Sequence, residues 1–196
     1  MVLHTGFPRN MATKCPTAAA SCAYWLLKSE PSDYSIAMMA SEGRTVWDGV
    51  RNVVARKNLR AMAIGDQALF YHSSCTRVGI VGLVAVAAAA YPDPTDDKWA
   101  VVDVRHVETW DVPVSLEDLK KHKDGALEGM ALFRQPRLSV QPVSRDHFAY
   151  ILTLRDSQTA AVDGPASVGA PSAVSTGKKR ARKAEPERGR KRVSVE

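Results

Sequence analysis

Residues 24–31 read Tyr-Trp-Leu-Leu-Lys-Ser-Glu-Pro, and they mark the point where the chain first has the pattern of a folded protein. Four large aromatic or aliphatic side chains come in succession, and the run ends in Ser-Glu-Pro, which is typical of a turn. This stretch predicts a buried strand that is followed by a turn.

Short helices and strands alternate downstream of this first strand. Residues 33–42 and 51–63 predict helices, and the segment Thr45-Val46-Trp47-Asp48-Gly49 between them is compact and turn-like. In the second helix, Val54, Leu59 and Met62 are expected to face inward. Further strands are predicted at residues 67–73, 77–86, 100–107 and 137–143, a loop at 91–94, short helices at 115–121 and 126–133, and a last helix that Ser144 caps and that runs through Leu154. Five or so strands with short peripheral helices predict an α+β fold around a small curved sheet or barrel.

Composition divides the chain into three parts. Residues 1–23 are basic and contain no acid, and they predict a disordered leader, with a mitochondrial transit peptide as the alternative. After residue 156 the chain is rich in Ala, Ser, Gly, Pro and Val, which cannot bury enough apolar surface to fold, so residues 157–196 predict a disordered tail. The folded domain is predicted at residues 24–156. The apolar run at 78–91 is too short to cross a bilayer, and no membrane partner is expected.

The net positive charge of the chain lies in the tail. Residues 178–196 hold nine basic and three acidic residues, which equals the whole-chain net charge of +6, so the remainder is neutral overall. The tail predicts a nuclear import signal or a nonspecific nucleic-acid arm. Its basic clusters consist of Lys178, Lys179, Arg180, Arg182 and Lys183, followed by Arg190, Lys191 and Arg192.

The sequence offers little for catalysis or for metal binding. Its three cysteines, Cys15, Cys22 and Cys75, form no Cys-x-x-Cys pair or Cys/His cluster, so neither a zinc site nor a cofactor is predicted. No nucleophile elbow, phosphate loop or paired-carboxylate pattern is present. Ser73 directly follows His72 in a predicted strand, so their side chains diverge and cannot form a nucleophile–base pair. An enzyme is therefore the less favoured class.

Four blocks of sequence resemble the EVE domain in the form found in the thymocyte nuclear protein family. They are residues 24–31, residues 45–52 (Thr-Val-Trp-Asp-Gly-Val-Arg-Asn), residues 70–73 (Phe-Tyr-His-Ser) and residues 134–143 (Arg-Gln-Pro-Arg-Leu-Ser-Val-Gln-Pro-Val). The resemblance implies a PUA-like fold, a curved and mostly antiparallel barrel of about five or six strands related to YTH domains. It also implies binding of modified bases, notably modified cytosines in DNA, without an established catalytic activity. Val53-Val54 depart from the Tyr-Gln that family members usually have at this place.

A pocket for an extruded base needs an aromatic wall and a few fixed polar groups. Trp47 is the candidate wall, because it lies in a polar turn and the resemblance places it where YTH domains carry a cage tryptophan. Its structural alternative is a residue that plugs one end of the barrel. Each of the other candidates has a structural alternative: Trp25 as core packing, Ser29 as a turn residue and Asn52 as a helix cap. Alternation along a strand places either His72 or Tyr71 toward the pocket, but not both. The predicted base pocket comprises Trp47, Ser29, Asn52, His72, Tyr71, Ser73 and Trp25.

Four basic residues are candidates for phosphate contacts, namely Lys28, Arg51, Arg134 and Arg137. Arg137, Ser139 and Gln141 alternate and are expected to share one face of a strand. The expected partners are DNA that carries modified bases, or RNA, and an import receptor that binds the tail. A nuclear monomer is predicted. A protein-interaction scaffold whose tail carries most of the binding is the alternative.

Overall fold

The computed structural model describes residues 22–162, so most of the predicted leader and the basic clusters from Lys178 to Arg192 lie outside the described residues. Six strands and five helices make up the described part. They are β1 Tyr24–Ser29, α1 Ile36–Glu42, β2 Arg44–Trp47, α2 Val53–Ala61, β3 Gln67–His72, β4 Gly79–Asp93, β5 Asp96–Ser115, α3 Leu116–Lys121, α4 Ala131–Arg134, β6 Val140–Val143 and α5 Arg145–Val162.

The strands form one sheet in the order β2-β5-β4-β3-β1-β6. Strands β1 and β3 are parallel, and the other four neighbouring pairs are antiparallel. Irregularities recur in the pairing of β4 with β5, and such bulges bend a sheet. The predicted α+β class with a curved, mostly antiparallel sheet and short flanking helices is confirmed, although the strand order does not return from β6 to β2 and the barrel stays open.

Both faces of the central strands are buried. On one side, called here the α2 face, Trp25, Leu27 and Phe70 pack in one buried cluster with residues of α1 and α2. On the other side, called the α5 face, Leu26 and Leu69 pack with residues of α3, α4 and α5. Each fully buried side chain of this size contributes about 1.5–3 kcal/mol. The uninterrupted apolar run of β1 follows from this arrangement, because neither face of the strand meets water.

Three predicted elements differ from the structure. The segment at residues 45–49 was expected to be a turn, but Arg44–Trp47 is an edge strand in which Thr45 pairs with Val104 of β5. The loop expected at residues 91–94 is only the turn at Pro94 and Thr95, since β4 continues to Asp93. Strand β6 begins only at Val140. In the first two cases strand pairing overrides the local turn signal. In the third, residues 136 and 137 form a turn where a strand was predicted.

The observed helix boundaries change which residues of the helices face the core. Helix α2 begins at Val53, and its buried residues are Ala55 and Leu59, while Val54 is 51% exposed and was wrongly predicted to face inward. The cap predicted at Ser144 is confirmed, because its Oγ accepts the backbone N–H of His147 at 3.1 Å. Helix α5 then continues beyond Leu154 to Val162. Within residues 22–162 no helix is both long and apolar enough to span a membrane.

Candidate nucleic-acid interface

A cleft opens between the start of α2 and the segment that precedes β6. Asn52 and Val54 form one wall, and residues 135–138 form the other. The volume of the cleft is about 310 Å³, close to the lower end of the range of about 300–1,000 Å³ for small-ligand sites. Leu138 belongs to both the cleft and the buried cluster of the α2 face, so the floor of the cleft is continuous with the core.

Asn52 is the N-cap of α2, and this role fixes its orientation. Its Oδ1 accepts the backbone N–H groups of Val54 at 2.9 Å and of Ala55 at 3.0 Å. With both lone pairs of Oδ1 engaged, the Nδ2 amide carries two donors on an exposed side chain at the edge of the cleft. The structural alternative considered for Asn52 is therefore correct, and capping presents its amide nitrogen rather than its oxygen to a ligand.

Two buried side chains hold the opposite wall. Gln141 is fully buried, and its Nε2 donates to the carbonyls of Gln135 and Leu138 at 2.9 Å each. Lys28 reaches the same segment from β1, where its Nζ donates to the carbonyl of Pro136 at 2.7 Å. Three carbonyls of the wall, those of Gln135, Pro136 and Leu138, thus accept hydrogen bonds from side chains of the sheet. Residues 135–137 are exposed, whereas Leu138 is buried.

This arrangement corrects the prediction that Arg137, Ser139 and Gln141 share one strand face. Ser139 and Gln141 are buried, whereas Arg137 is exposed and lies before β6 begins. The chain turns at residues 135–138 to make the cleft wall, so the alternation that a strand would impose does not extend to Arg137. Arg134 is also exposed and directly precedes the wall, of which Arg137 is a part.

Lys28 is a buried cation and not a solvent-facing one. Only 6% of the residue is exposed, and burial lowers the pKa of its ammonium group to about 8. Its Nζ lies 5.4 Å from the ring centroid of Tyr71, which adds a cation–π contact. The structure therefore places Lys28 behind the cleft wall, where it positions Pro136.

Trp47 lies in the core. The side chain is 2% exposed and packs edge-on against Phe70, with ring centroids 5.6 Å apart. The turn predicted around Trp47 is a strand instead, because β2 pairs with β5 and carries the indole inward, and this burial fits the structural alternative for Trp47. Trp25 is buried as well, and its Nε1 donates to Asp66 Oδ2 at 2.9 Å, which fits the packing alternative.

Ser29 and His72 hold the start of α1. Ser29 Oγ donates to the carbonyl of Tyr34 at 2.6 Å, and His72 Nε2 accepts the backbone N–H of Ile36 at 3.1 Å. A histidine that accepts through Nε2 is neutral with its proton on Nδ1, and burial lowers the pKa of His72 accordingly. These polar atoms support the 30–36 turn.

Tyr71 and His72 point to opposite faces, as strand alternation requires. Tyr71 belongs to the cluster of the α5 face, while His72 lies 5.7 Å from Phe70 on the α2 face. Burial raises the pKa of Tyr71 to about 12. Ser73 continues the backbone pairing, since its N–H and its Oγ both donate to the carbonyl of Ser29. Of the seven predicted pocket residues, Tyr71 thus lies on the α5 face, Trp25, Trp47 and His72 lie on the α2 face, and Asn52 lines the cleft.

Arg51 lies beside the cleft and stacks on Trp99. The guanidinium carbon of Arg51 is 4.4 Å from the indole centroid, and that of Arg56 is 4.9 Å from it. Trp99 belongs to β5, so the tip of the β4–β5 hairpin meets the start of α2. Sequence reasoning did not predict that Gln135 lines the cleft or that Trp99 packs against Arg51 and Arg56, and the run of basic residues in α2 was the available signal.

Comparison with known proteins places these features in a family. The EVE domain profile matches residues 23–154. The chain is 39% identical over 168 residues to thymocyte nuclear protein 1 of Mus musculus, a match that covers 69% of this chain and 74% of the relative. The human thymocyte nuclear protein 1 is 35% identical over 169 residues, with 69% of this chain and 75% of the relative covered.

Solved structures agree with the sequence matches. A hypothetical protein from Leishmania major has a TM-score of 0.67 at 42% identity, covering 71% of this chain and 98% of its own. The crystal structure of the human THYN1 protein in complex with DNA that contains 5-methylcytosine has a TM-score of 0.65 at 34% identity, covering 68% of this chain and 98% of its own.

Proposed function

The chain belongs to the EVE domain family, and from this membership we propose that it is a nucleic-acid-binding reader of a modified base, with modified cytosine in DNA as the favoured ligand. The observation that carries the proposal is the cleft between α2 and residues 135–138, which combines an oriented amide with an apolar floor. The human THYN1 protein, whose structure resembles this one, was solved with DNA that contains 5-methylcytosine. That relative supports DNA over RNA as the partner.

The cleft supplies both kinds of contact that an extruded base needs. Asn52 Nδ2 can donate to a carbonyl oxygen of the base, because capping has already engaged its Oδ1. Leu138 and Val54 offer apolar surface that suits the ring and a methyl substituent. Arg134 and Arg137 stand at the rim, where they can meet the phosphates on either side of the base.

We place the base in this cleft and not against Trp47. A stacking role for Trp47 would require the core around it to open, since only 2% of the side chain is exposed. In the proposed site Trp47, together with Phe70, supports the floor from within the α2 face. Ser29 and His72 fix the turn before α1, and Lys28 fixes the cleft wall at Pro136.

The proposed activity is binding without chemistry on the base. His72 Nε2 is occupied by the Ile36 N–H, and Ser73 Oγ donates to a backbone carbonyl, so the two do not activate each other. Release of a product from a labelled modified nucleotide would overturn this part of the proposal. The name of the mouse and human relatives supports a nuclear location, with import through the tail from Lys178 to Arg192, and a mitochondrial location through residues 1–23 is the alternative.

The test is a titration of the full chain into labelled duplexes that differ in one base. Fluorescence anisotropy compares a duplex with a single 5-methylcytosine, the same duplex with cytosine, and the corresponding single strands and RNA. Tighter binding to one modified duplex supports the reader, and equal affinity across a panel of cytosine and adenine modifications would reject it. A chain that ends at Val162 distinguishes the scaffold alternative, because loss of all binding on removal of the tail would assign the activity to the tail.

A further inference from the structure

We propose that the outer side of helix α2 is a second nucleic-acid surface, which binds the phosphate backbone beside the base in the cleft. The surface, called here the α2 stripe, consists of Val53, Arg56, Lys57 and Arg60 and adjoins Arg51 and Trp99. This inference rests on the proposed function and deepens it, since it identifies the surface of the domain that contacts the duplex on either side of the bound base. It assigns the nonspecific part of the affinity to the folded domain, which is neutral overall outside the tail.

The spacing of the α2 stripe makes it one continuous face. Its members stand at positions i, i+3, i+4 and i+7 of the helix, which lie above one another on one side. The opposite side carries Ala55 and Leu59, both fully buried against the sheet. Lys57 and Arg60 are exposed and Arg56 is half-buried, so the stripe faces away from the core.

The α2 stripe carries three basic side chains and no acidic one. Residues 49–65 contain four basic residues and no acid, and the ion pairs among residues 22–162 include none of the four. Arg56 and Arg60 stand at i and i+4, and Lys57 and Arg60 at i and i+3, where like charges each destabilise a helix by about 0.2–0.5 kcal/mol. A polyanion laid along the stripe would convert this repulsion into attraction.

The β4–β5 hairpin holds the arginine side chains at one end of the α2 stripe in place. Arg56 Nη1 donates to the carbonyl of Lys98 at 3.1 Å, and the guanidinium groups of Arg51 and Arg56 both lie against Trp99. Trp99 is itself held by Asp96, whose Oδ2 accepts the indole N–H at 3.0 Å. Stacking in this way reduces the side-chain entropy that an arginine loses when it binds a phosphate. The buried Arg56 Nε has no hydrogen-bond partner among the described residues.

The surface and the cleft share one helix. Asn52 and Val54 of the cleft lie at the start of α2, and Arg60 lies near its end, so a helix of nine residues extends the site by about 13 Å. Duplex DNA carries one charge per about 1.7 Å of its axis, so this length faces several phosphates. A base in the cleft therefore brings its neighbours in the strand within reach of the stripe.

The experiment compares two triple variants of the full chain that remove the same charge. One carries Arg56→Gln, Lys57→Gln and Arg60→Gln. The matched control carries Lys120→Gln, Lys121→Gln and Lys123→Gln at and just after helix α3, which packs on the α5 face. Affinity for the 5-methylcytosine duplex and for its cytosine counterpart is measured by anisotropy from 0.05 to 0.3 M salt, and circular dichroism with thermal melting verifies folding.

We expect the α2 variant to lose affinity for both duplexes by the same factor, up to about eightfold per lost contact at 0.1 M salt, and its salt slope to fall by up to about three. The ratio of the two affinities should stay constant, and the control should match the wild type. Equal salt slopes for the two triple variants would overturn the inference. Trp99→Leu, which leaves every charge in place, should produce a smaller loss in the same direction, and it provides the test if the triple variant does not fold.

The two proposals fail in different ways. If the wild type binds both duplexes equally but the α2 variant loses affinity and salt slope, the base-reader proposal fails and the α2 stripe stands. If the wild type distinguishes the duplexes and the α2 variant behaves like the control, the reader stands and the stripe is rejected.

Discussion

Replacing Asn52 by serine separates the structural role of this residue from its proposed role in binding. Serine, like asparagine, is a good N-cap, and its hydroxyl can accept from the same backbone N–H groups of Val54 and Ala55. What the substitution removes is the Nδ2 amide and its reach into the cleft. No charge changes, so long-range attraction to DNA stays the same.

The two consequences of Asn52→Ser have different sizes. Stability should change by less than about 0.5 kcal/mol, because the cap survives. A base carbonyl that is buried without its donor costs about 1–3 kcal/mol, which corresponds to roughly a 5- to 150-fold weaker affinity for the modified duplex. Asn52→Ala should lose the cap as well, at about 1 kcal/mol of stability.

Urea denaturation measures the first quantity, and anisotropy titration of the modified and unmodified duplexes measures the second. We expect Asn52→Ser to unfold like the wild type and to bind both duplexes more weakly, because cytosine and 5-methylcytosine carry the same carbonyl oxygen. The reasoning about the cleft is refuted if Asn52→Ser binds the modified duplex as tightly as the wild type does. A parallel loss of stability and binding would instead mean that Asn52 acts only as a cap.

Three further predictions concern the residues behind the cleft. Burial lowers the pKa of Lys28 to about 8 from an unfolded value near 10.5. The unfolded chain therefore holds more protons between these two pH values, and the free energy of unfolding should rise with pH by up to about 3 kcal/mol. Urea unfolding of Lys28→Met, recorded from pH 7 to 10, should lack this rise. Burial also lowers the pKa of His72. The free energy of unfolding should therefore fall as the pH drops below about 6.5, because protonation removes the acceptor of the Ile36 N–H. If His72→Gln loses as much unfolding free energy as the wild type over this pH range, the explanation is wrong. Trp47→Ala should cost about 3–5 kcal/mol of unfolding free energy through the cavity left beside Phe70, and a cost below 1 kcal/mol would show that the indole is not packed as described.

Much of the fold could be predicted from local patterns. The apolar run of β1 and the caps at Asn52 and Ser144 depend on residues a few positions apart, and the structure contains each of them. The edge strand β2 could not be predicted in this way. Its backbone donors and acceptors are paired by β5, about sixty residues away, so Asp48 and Gly49 dominated the local signal.

The candidate site was predicted less well than the fold for the same reason. Trp47 and Lys28 were both expected near a ligand on the strength of their chemistry, yet pairing and packing bury both. Trp99 was not among the predicted site residues, because its contact with Arg51 arises only when the hairpin tip meets α2.

The sequence by itself determined the fold class, the order of most elements, the family and the concentration of positive charge in the tail, because these depend on periodicity, capping and composition. Only the tertiary structure decided which side chains share a surface. The cleft wall is held by Lys28 from 108 residues away and α2 is held to β6 by Asn58 from 82 residues away. These long-range contacts follow from the strand order of the sheet. The strand order brings together segments that are far apart in the sequence, and no local sequence pattern indicates that they meet.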